Sequence, residues 1–214
     1  MDIQGSGDPQ FYAVRQEFER NFRERGEVGA SVCVTVRGQI MVTLWGGTAR
    51  LDTGTPWTEE TVSLVFSCTK GATALCVHIL ASRGLLDLDT PLAGGGKAVV
   101  SRDAVARMAA VSSATGCDAV LLLPTRFSLG FMKAMDNRRL PFGQDNSAIL
   151  SEEAFGHVGF GGSIGFADPK AELAFGYTMN KMGSGVGLTE RGQRLIDAAY
   201  RSLGYQSNAS GTWV

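Results

Sequence analysis

Residues 63–84 read SLVFSCTKGATALCVHILASRG, and this stretch decides how the rest of the sequence is interpreted. From Lys70 to Gly84 it is apolar, nearly continuous and free of proline, which predicts a buried helix with Gly84 at its C-terminal cap. Ser67 and Lys70 are three residues apart at the start of this helix, so they lie on the same face. The stretch therefore predicts a serine hydroxyl within reach of a lysine amine at a helix N-terminus.

This S-x-x-K pattern has two interpretations. In the first, burial and the positive end of the helix disfavour the ammonium, so that Lys70 accepts the proton of Ser67. The free amides at the helix start would then help to hold an oxyanion. In the second, Ser67 is a helix cap and Lys70 a solvated first-turn residue, since the pattern occurs roughly once by chance in a chain of this size. The apolar character of the helix favours the nucleophile.

The segments around this helix predict an α+β fold. Residues 9–25 form an amphipathic helix, and the β-branched runs 28–36 and 39–47 flank Arg37-Gly38 as a hairpin with a two-residue turn. We expect a mostly antiparallel sheet with the N- and C-terminal helices on one face, within one domain of residues 1–214. The remaining predicted elements are a helix at 101–110, strands at 126–132, 153–159, 163–168 and 171–180, a helix at 188–203 and a loose tail at 205–214.

Three further segments carry a family resemblance together with residues 64–93. They are SVCVTVRGQIMVTLWGG (31–47), LPTRFSLGFM (123–132) and AFGHVGFGGSIGFADPKAELAFGYTMN (154–180). The sequence resembles the class C β-lactamase-like serine hydrolases, and most closely the family VIII carboxylesterases. This resemblance covers most of the chain.

The resemblance implies a role for each motif. Ser67 would form an acyl-enzyme, Lys70 would be its proton partner, and the backbone amides of Ser67 and Phe160 would hold the oxyanion. His157 is the first residue of the triplet His157-Val158-Gly159, which occupies the position of K-T-G in β-lactamases. By this resemblance, His157 would orient the substrate. Gly159 and Gly161 would allow a backbone and a substrate to approach closely.

One family motif is missing from this sequence. Family members carry Y-x-N on a helical domain between the nucleophile helix and the later strands, and its tyrosine acts as general base. The four tyrosines here are Tyr12, Tyr177, Tyr200 and Tyr205, and none lies between Ser67 and His157. The glycine cluster at 92–97 marks the predicted deletion junction of this helical domain. We expect weak turnover, and a nucleophile helix that is left exposed or covered by a second copy of the chain.

Residues 161–165 match a second nucleophile pattern, G-x-S-x-G, with Ser163 at its centre. That nucleophile elbow needs a helix after the serine, whereas a strand is predicted here, and both histidines precede Ser163. The pattern therefore predicts a polar strand residue near the site. His78, inside the apolar helix, is interpreted as a core histidine.

Composition limits the partners and cofactors. The net charge is −1 and the 20 Lys and Arg residues are spread along the chain, so neither nucleic acid nor an anionic membrane is the expected partner. No apolar stretch approaches the ~20 residues of a membrane helix, and the first ten residues do not resemble a secretion signal. The cysteines lack C-x-x-C spacing, which predicts no metal, no cofactor, and mostly buried free thiols in the cytoplasm; they are Cys33, Cys68, Cys76 and Cys117.

The predicted function is hydrolysis of carboxylic esters with short acyl chains through an acyl-Ser67 intermediate, with β-lactams as a second substrate class. Two alternatives stay open. The chain is a catalytically impaired scaffold that keeps the fold without turnover, or it is a subunit whose cleft another chain completes.

Overall fold

The structure is a computed structural model that describes residues 2–86 and 102–214. The strands are β1 (Ile3–Gly7), β2 (Gly29–Val36), β3 (Gln39–Arg50), β4 (Thr55–Pro56), β5 (Ser113–Thr115), β6 (Thr125–Phe127), β7 (Phe155–Val158), β8 (Ile164–Asp168) and β9 (Leu173–Met179). The α-helices are α1 (Tyr12–Glu24), α2 (Cys68–Ser82), α3 (Arg102–Ala109) and α4 (Glu190–Ser202). The predicted α+β class with an antiparallel sheet is confirmed.

The main sheet has the strand order β1-β3-β2-β9-β8-β7, and β4 pairs with β3. Strands β2 and β3 form the predicted hairpin. Its turn residues Arg37 and Gly38 have φ angles of 52° and 75°. The two-residue turn whose twist matches that of paired strands requires a positive φ at both of its central residues.

One face of the sheet forms the main hydrophobic core. A row of directly paired residues crosses the sheet on this face: Val158, Ile164, Tyr177, Val32 and Leu44. All five are buried, together with the apolar side of α1 and α4, which pack against each other. The helices near the two ends of the chain thus cover one face, as predicted.

The opposite face positions α2. The neighbouring row of paired residues is His157, Gly165, Gly176, Cys33 and Thr43, which alternates with the core row. Helix α2 packs on β7 and β8 at the His157 end of this row. A smaller cluster of Met108 from α3 with Phe131 and Phe155 lies next to it.

The burial predicted for the nucleophile helix is correct for one side only. Gly71 and His78 are the buried residues of α2. Leu75 and Leu80 are 43% and 38% exposed, because the sheet covers a single side of the helix. No helix in ranges 2–86 and 102–214 is long and apolar enough to cross a membrane.

Three other predictions need correction. Of residues 126–132 only the first two lie in β6, because Gly130 with φ 85° turns the chain before Met132 bridges to Gly156. Strand β1 was not predicted at all. The four cysteines are free thiols, but Cys33, Cys76 and Cys117 are exposed instead of buried. The predicted junction at 92–97 lies outside the described residues.

The predicted loose tail is in fact part of the core. Trp213 is 2% exposed, stacks on Tyr200 with 5.8 Å between ring centroids, and pairs with Ser151 in a parallel bridge. Its indole Nε1 donates to Asp197 at 3.2 Å. The last residues are therefore held by ring packing and by the hydrogen bond of one tryptophan.

We expect Trp213→Ala to lower the free energy of unfolding by about 3–5 kcal/mol, because truncating a buried tryptophan leaves a cavity. Urea unfolding followed by circular dichroism measures the change. Val214→Ala is the matched control, since Val214 is 66% exposed and its loss should change stability by less than about 0.5 kcal/mol. Equal effects of the two substitutions would mean that the tail is loose after all.

Candidate active site

Ser67 occupies the N-cap position of α2, but its hydroxyl makes no capping hydrogen bond. Instead Lys70 Nζ donates to Ser67 Oγ at 2.6 Å. The structure thus brings the two side chains together in the way that their spacing predicts. The capping interpretation of Ser67 does not describe this geometry.

The burial expected for Lys70 is wrong. Its side chain is exposed, whereas Ser67 is half-buried. The cause is the position of Lys70 on the side of α2 that borders an open cleft.

Phe66 holds the turn before Ser67 in an uncommon conformation. Its φ of 45° lies in the left-handed region, which costs a non-glycine residue about 1–3 kcal/mol and persists where surrounding contacts enforce it. One such contact is with Phe160, whose ring centroid lies 6.5 Å away at an interplanar angle of 76°. This edge-to-face pair joins the nucleophile turn to the loop after β7.

Ser67 and Phe160 both line the cleft. Among residues 2–86 and 102–214, neither of their backbone N–H groups donates a hydrogen bond to a protein acceptor. An oxyanion site requires unpaired backbone donors of this kind.

His157 lines the same cleft from strand β7. Its ring Nδ1 lies 2.7 Å from the carbonyl oxygen of Val158, which selects the tautomer with Nδ1 protonated. Burial lowers the pKa of the imidazole and the charge of Lys70 lowers it further, against the opposing effect of the Val158 hydrogen bond. His157 is therefore neutral near pH 7 and presents Nε2 as an acceptor.

Gly159 and Gly161 shape the loop and are not among the residues that line the cleft. Both are buried. A Cβ at Gly159 would stand 2.1 Å from the carbonyl oxygen of Val65, and one at Gly161 would stand 2.8 Å from Met182 Cβ. The predicted close approach is thus between backbone segments of the chain, and direct substrate contact by these glycines has no support in the lining.

Two side chains fasten the first turn of α2 to the sheet. Ser163 is 1% exposed and its Oγ donates to the carbonyl oxygen of Val65 at 3.2 Å. Cys68 Sγ donates to the carbonyl oxygen of His157 at 3.1 Å, and burial raises the pKa of this thiol. Strand β8 follows Ser163 directly, so the G-x-S-x-G pattern here is not a nucleophile elbow.

The other candidate residues are structural. His78 Nε2 lies 2.9 Å from the carbonyl oxygen of Leu129 and its ring stacks on Phe131, which agrees with a core histidine. Tyr177 hydrogen-bonds to Glu27 on the core face. In the described part of the chain no tyrosine lines the cleft.

The cleft has a volume of about 770 Å³ and extends beyond the predicted residues. It includes residues that the sequence analysis did not assign to the site: Phe66, Thr69, Thr73, Ala74, Val77, Phe127, Ser128 and Gly130. The spacing of Thr73, Ala74 and Val77 from Lys70 would have placed them on the same helix face. No periodic spacing in the sequence places residues 127–130 at the cleft, because they reach it through a turn.

Comparison with known proteins confirms the resemblance. Residues 16–94 match the family model described as Beta-lactamase. The chain is 36% identical over 120 residues to the esterase/beta-lactamase LipL of Mycobacterium tuberculosis, covering 52% of this chain and 28% of that protein. It is 39% identical over 75 residues to the esterase EstB of Burkholderia gladioli, covering 35% and 19%. The chain thus spans less than a third of either relative.

Solved structures show the same fold. A family VIII carboxylesterase superimposes with a TM-score of 0.81 at 21% identity, over 94% of this chain and 100% of that chain. A penicillin-binding protein homologue from Caulobacter crescentus has a TM-score of 0.73 at 19% identity, over the same shares. At these identities the likeness concerns the fold alone.

We expect the imidazole of His157 to titrate below its ordinary pKa of about 6.5 in an NMR pH titration, with His157→Gln assigning the signal. Lys70→Met should raise this pKa, because the substitution removes a nearby positive charge. An unchanged midpoint in Lys70→Met would contradict the proximity of the two groups.

The lowered pKa also predicts a pH dependence of stability. The folded chain binds fewer protons at His157 than the unfolded chain, so the free energy of unfolding falls as the pH drops below about 6.5. Urea unfolding at pH 7.5 and pH 5 should show a smaller loss for His157→Gln than for the parent.

Proposed function

We propose that this chain, whose residues 16–94 match the Beta-lactamase family model, is a serine hydrolase that cleaves carboxylic esters through an acyl group on Ser67. The observation that carries the proposal is the 2.6 Å contact between Lys70 Nζ and Ser67 Oγ. The contact lies at the start of α2 and opens on a cleft large enough for a small ester.

The first step is nucleophilic attack. Ser67 Oγ forms a bond to the ester carbonyl carbon while its proton passes to the free-amine form of Lys70. The carbonyl electron pair moves onto oxygen, where the amides of Ser67 and Phe160 stabilise the negative charge. When the tetrahedral intermediate collapses, the alcohol leaves with the proton from Lys70, and the acyl group stays on Ser67.

The second step is hydrolysis of the acyl-enzyme by water, which releases a carboxylic acid. Lys70 is the base available for this water as well, because no tyrosine from the described residues lines the cleft. We therefore propose that turnover is reduced relative to acylation. A scaffold that is acylated without turnover is the limiting case of the same arrangement.

His157 orients the substrate in this proposal. The neutral ring offers Nε2 as a hydrogen-bond acceptor at the part of the cleft wall that β7 forms. The sequence favours short acyl chains and, as a second class, β-lactams. The name of the relative LipL, an esterase/beta-lactamase, is consistent with both classes.

We also propose that most of a helical lobe is missing between the two described ranges. The family match ends at residue 94, inside the predicted junction at 92–97. Leu75 and Leu80 of α2 are exposed, which supports cover by a second copy of the chain.

We expect Ser67→Ala to abolish hydrolysis of p-nitrophenyl acetate, because it removes the nucleophile. Lys70→Ala should lower the acylation rate by about 10²–10⁴-fold, the usual contribution of a positioned general base. Stopped-flow release of p-nitrophenol separates acylation from turnover, and we expect a burst followed by a slower steady state.

The matched control is Ser210→Ala, which removes an exposed hydroxyl in the C-terminal segment and should leave both phases unchanged. Mass spectrometry after a fluorophosphonate probe should find the adduct on the peptide that carries Ser67. An adduct on Ser163, or parental activity in Ser67→Ala, would refute the nucleophile. A Ser67 adduct without steady-state turnover would support the alternative of a scaffold that is acylated but does not turn over.

Light scattering at several protein concentrations tests whether a second copy of the chain covers α2. We expect the mass to rise above the 22.7 kDa of one chain, and the double variant Leu75→Lys, Leu80→Lys to remain monomeric because two charges oppose apolar contact. Val120→Lys is the control, since Val120 is 84% exposed and is not a residue of α2. If the parent is monomeric at every concentration, the proposal that a second copy covers α2 is contradicted.

A further inference from the structure

The cleft continues far beyond Ser67 along helix α2. Lys70, Thr73, Ala74 and Val77 all line it, and their spacing of three and four residues places them in one stripe. At a rise of 1.5 Å per residue, Val77 lies about 15 Å along the axis from Ser67, and Thr73 about 9 Å. The length of the cleft thus exceeds what a short acyl group would fill.

The chemistry of the lining changes along this length. Near Ser67 the walls carry the ionisable side chains of the lining, Lys70 and His157, together with Thr69 and the rings of Phe66 and Phe160. Toward the far end they are formed by Ala74, Val77 and Phe127, with Ser128 beside Phe127. All three of these apolar residues are half-buried, so that each presents part of its surface to whatever occupies the cleft.

A close packing contact borders the far part of the cleft. The turn at Gly130 crosses α2, and a Cβ there would stand 2.4 Å from Ala74 Cβ. His78, on the buried side of α2, has its Nε2 2.9 Å from the carbonyl oxygen of Leu129, and this contact holds the turn against the helix. The far part of the cleft therefore has a wall that is packed directly on α2.

We propose that this part of the cleft, lined by Ala74, Val77, Phe127 and Gly130, binds the alkyl chain of a medium-chain ester whose carbonyl lies at Ser67. The placement of the ester carbonyl at Ser67 rests on the proposed function. The inference extends the short acyl chains favoured by the sequence to chains that run along α2. Burial of apolar surface drives the binding, at up to about 0.8 kcal/mol for each buried methylene, which is about a fourfold change.

The test measures kcat/KM for p-nitrophenyl acetate, butyrate, hexanoate, octanoate and decanoate below their micelle concentrations. In the parent we expect a two- to fourfold rise per methylene up to decanoate, because an octanoyl chain ends near Thr73 and only a longer chain reaches Ala74. Val77→Trp should lower the decanoate-to-acetate ratio of kcat/KM at least tenfold. Thr73→Trp, which blocks the cleft nearer to Ser67, should depress the hexanoate-to-acetate ratio as well.

The control carries the same substitution elsewhere. Val120→Trp places an indole at a site that is 84% exposed and outside the cleft, so its chain-length profile should match that of the parent. A parallel series of acetate esters of linear alcohols shows whether the chain along α2 comes from the acyl or the alcohol side. A preference in either series supports the alkyl site.

A second measurement does not depend on turnover. Decanoate and acetate are titrated into Ser67→Ala while the NMR signal of His157 is followed, and decanoate should bind at least tenfold more tightly. Val77→Trp on this background should remove the difference. Equal binding of the two anions, with a flat chain-length profile, overturns the inference and leaves Ser67-dependent acetate hydrolysis, and hence the proposed function, intact. Tighter decanoate binding without Ser67-dependent hydrolysis supports the alkyl site and refutes the hydrolase.

Discussion

The close approach of the first turn of α2 to strand β7 is the contact on which the candidate site depends. A Cβ on Gly71 would lie 3.3 Å from His157 Cβ, and one on Gly159 would overlap the carbonyl oxygen of Val65. The thiol of Cys68 spans the same junction by a hydrogen bond to His157. A larger residue at either glycine would push the helix off the strand. It would also separate the hydroxyl of Ser67 from the loop after β7.

Features set by local chain geometry could be predicted from the sequence. The hairpin follows from two β-branched runs around a turn that tolerates positive φ, and the Ser67–Lys70 contact follows from the period of a helix. Strand β1 could not be predicted, because IQGSG has no apolar alternation and owes its conformation to pairing with β3. The position of Trp213 likewise depends on its ring contact with Tyr200, which forms only when the chain folds.

The parts of the site that escaped prediction depend on single backbone angles or on cover by other elements. Phe66 and Gly130 have positive φ, and the two turns decide where the nucleophile and the far end of the cleft lie. Whether Lys70 and Leu75 are buried depends on what packs over α2, a property that the apolar sequence of the helix does not contain. The same helix therefore serves as a core element on its Gly71 side and as an open wall on the other.

The pairing of distant segments has a consequence for the order of folding during synthesis. Strand β2 pairs with β3 on one side and with β9 on the other, and α1 packs on α4. A nascent chain on the ribosome can close the β2–β3 hairpin early, but the second edge of β2 and the side of α1 that faces α4 remain unpaired until residues 173–202 have emerged. Chaperone demand for this protein should therefore be greatest in the interval between synthesis of residues 12–36 and synthesis of residues 173–202.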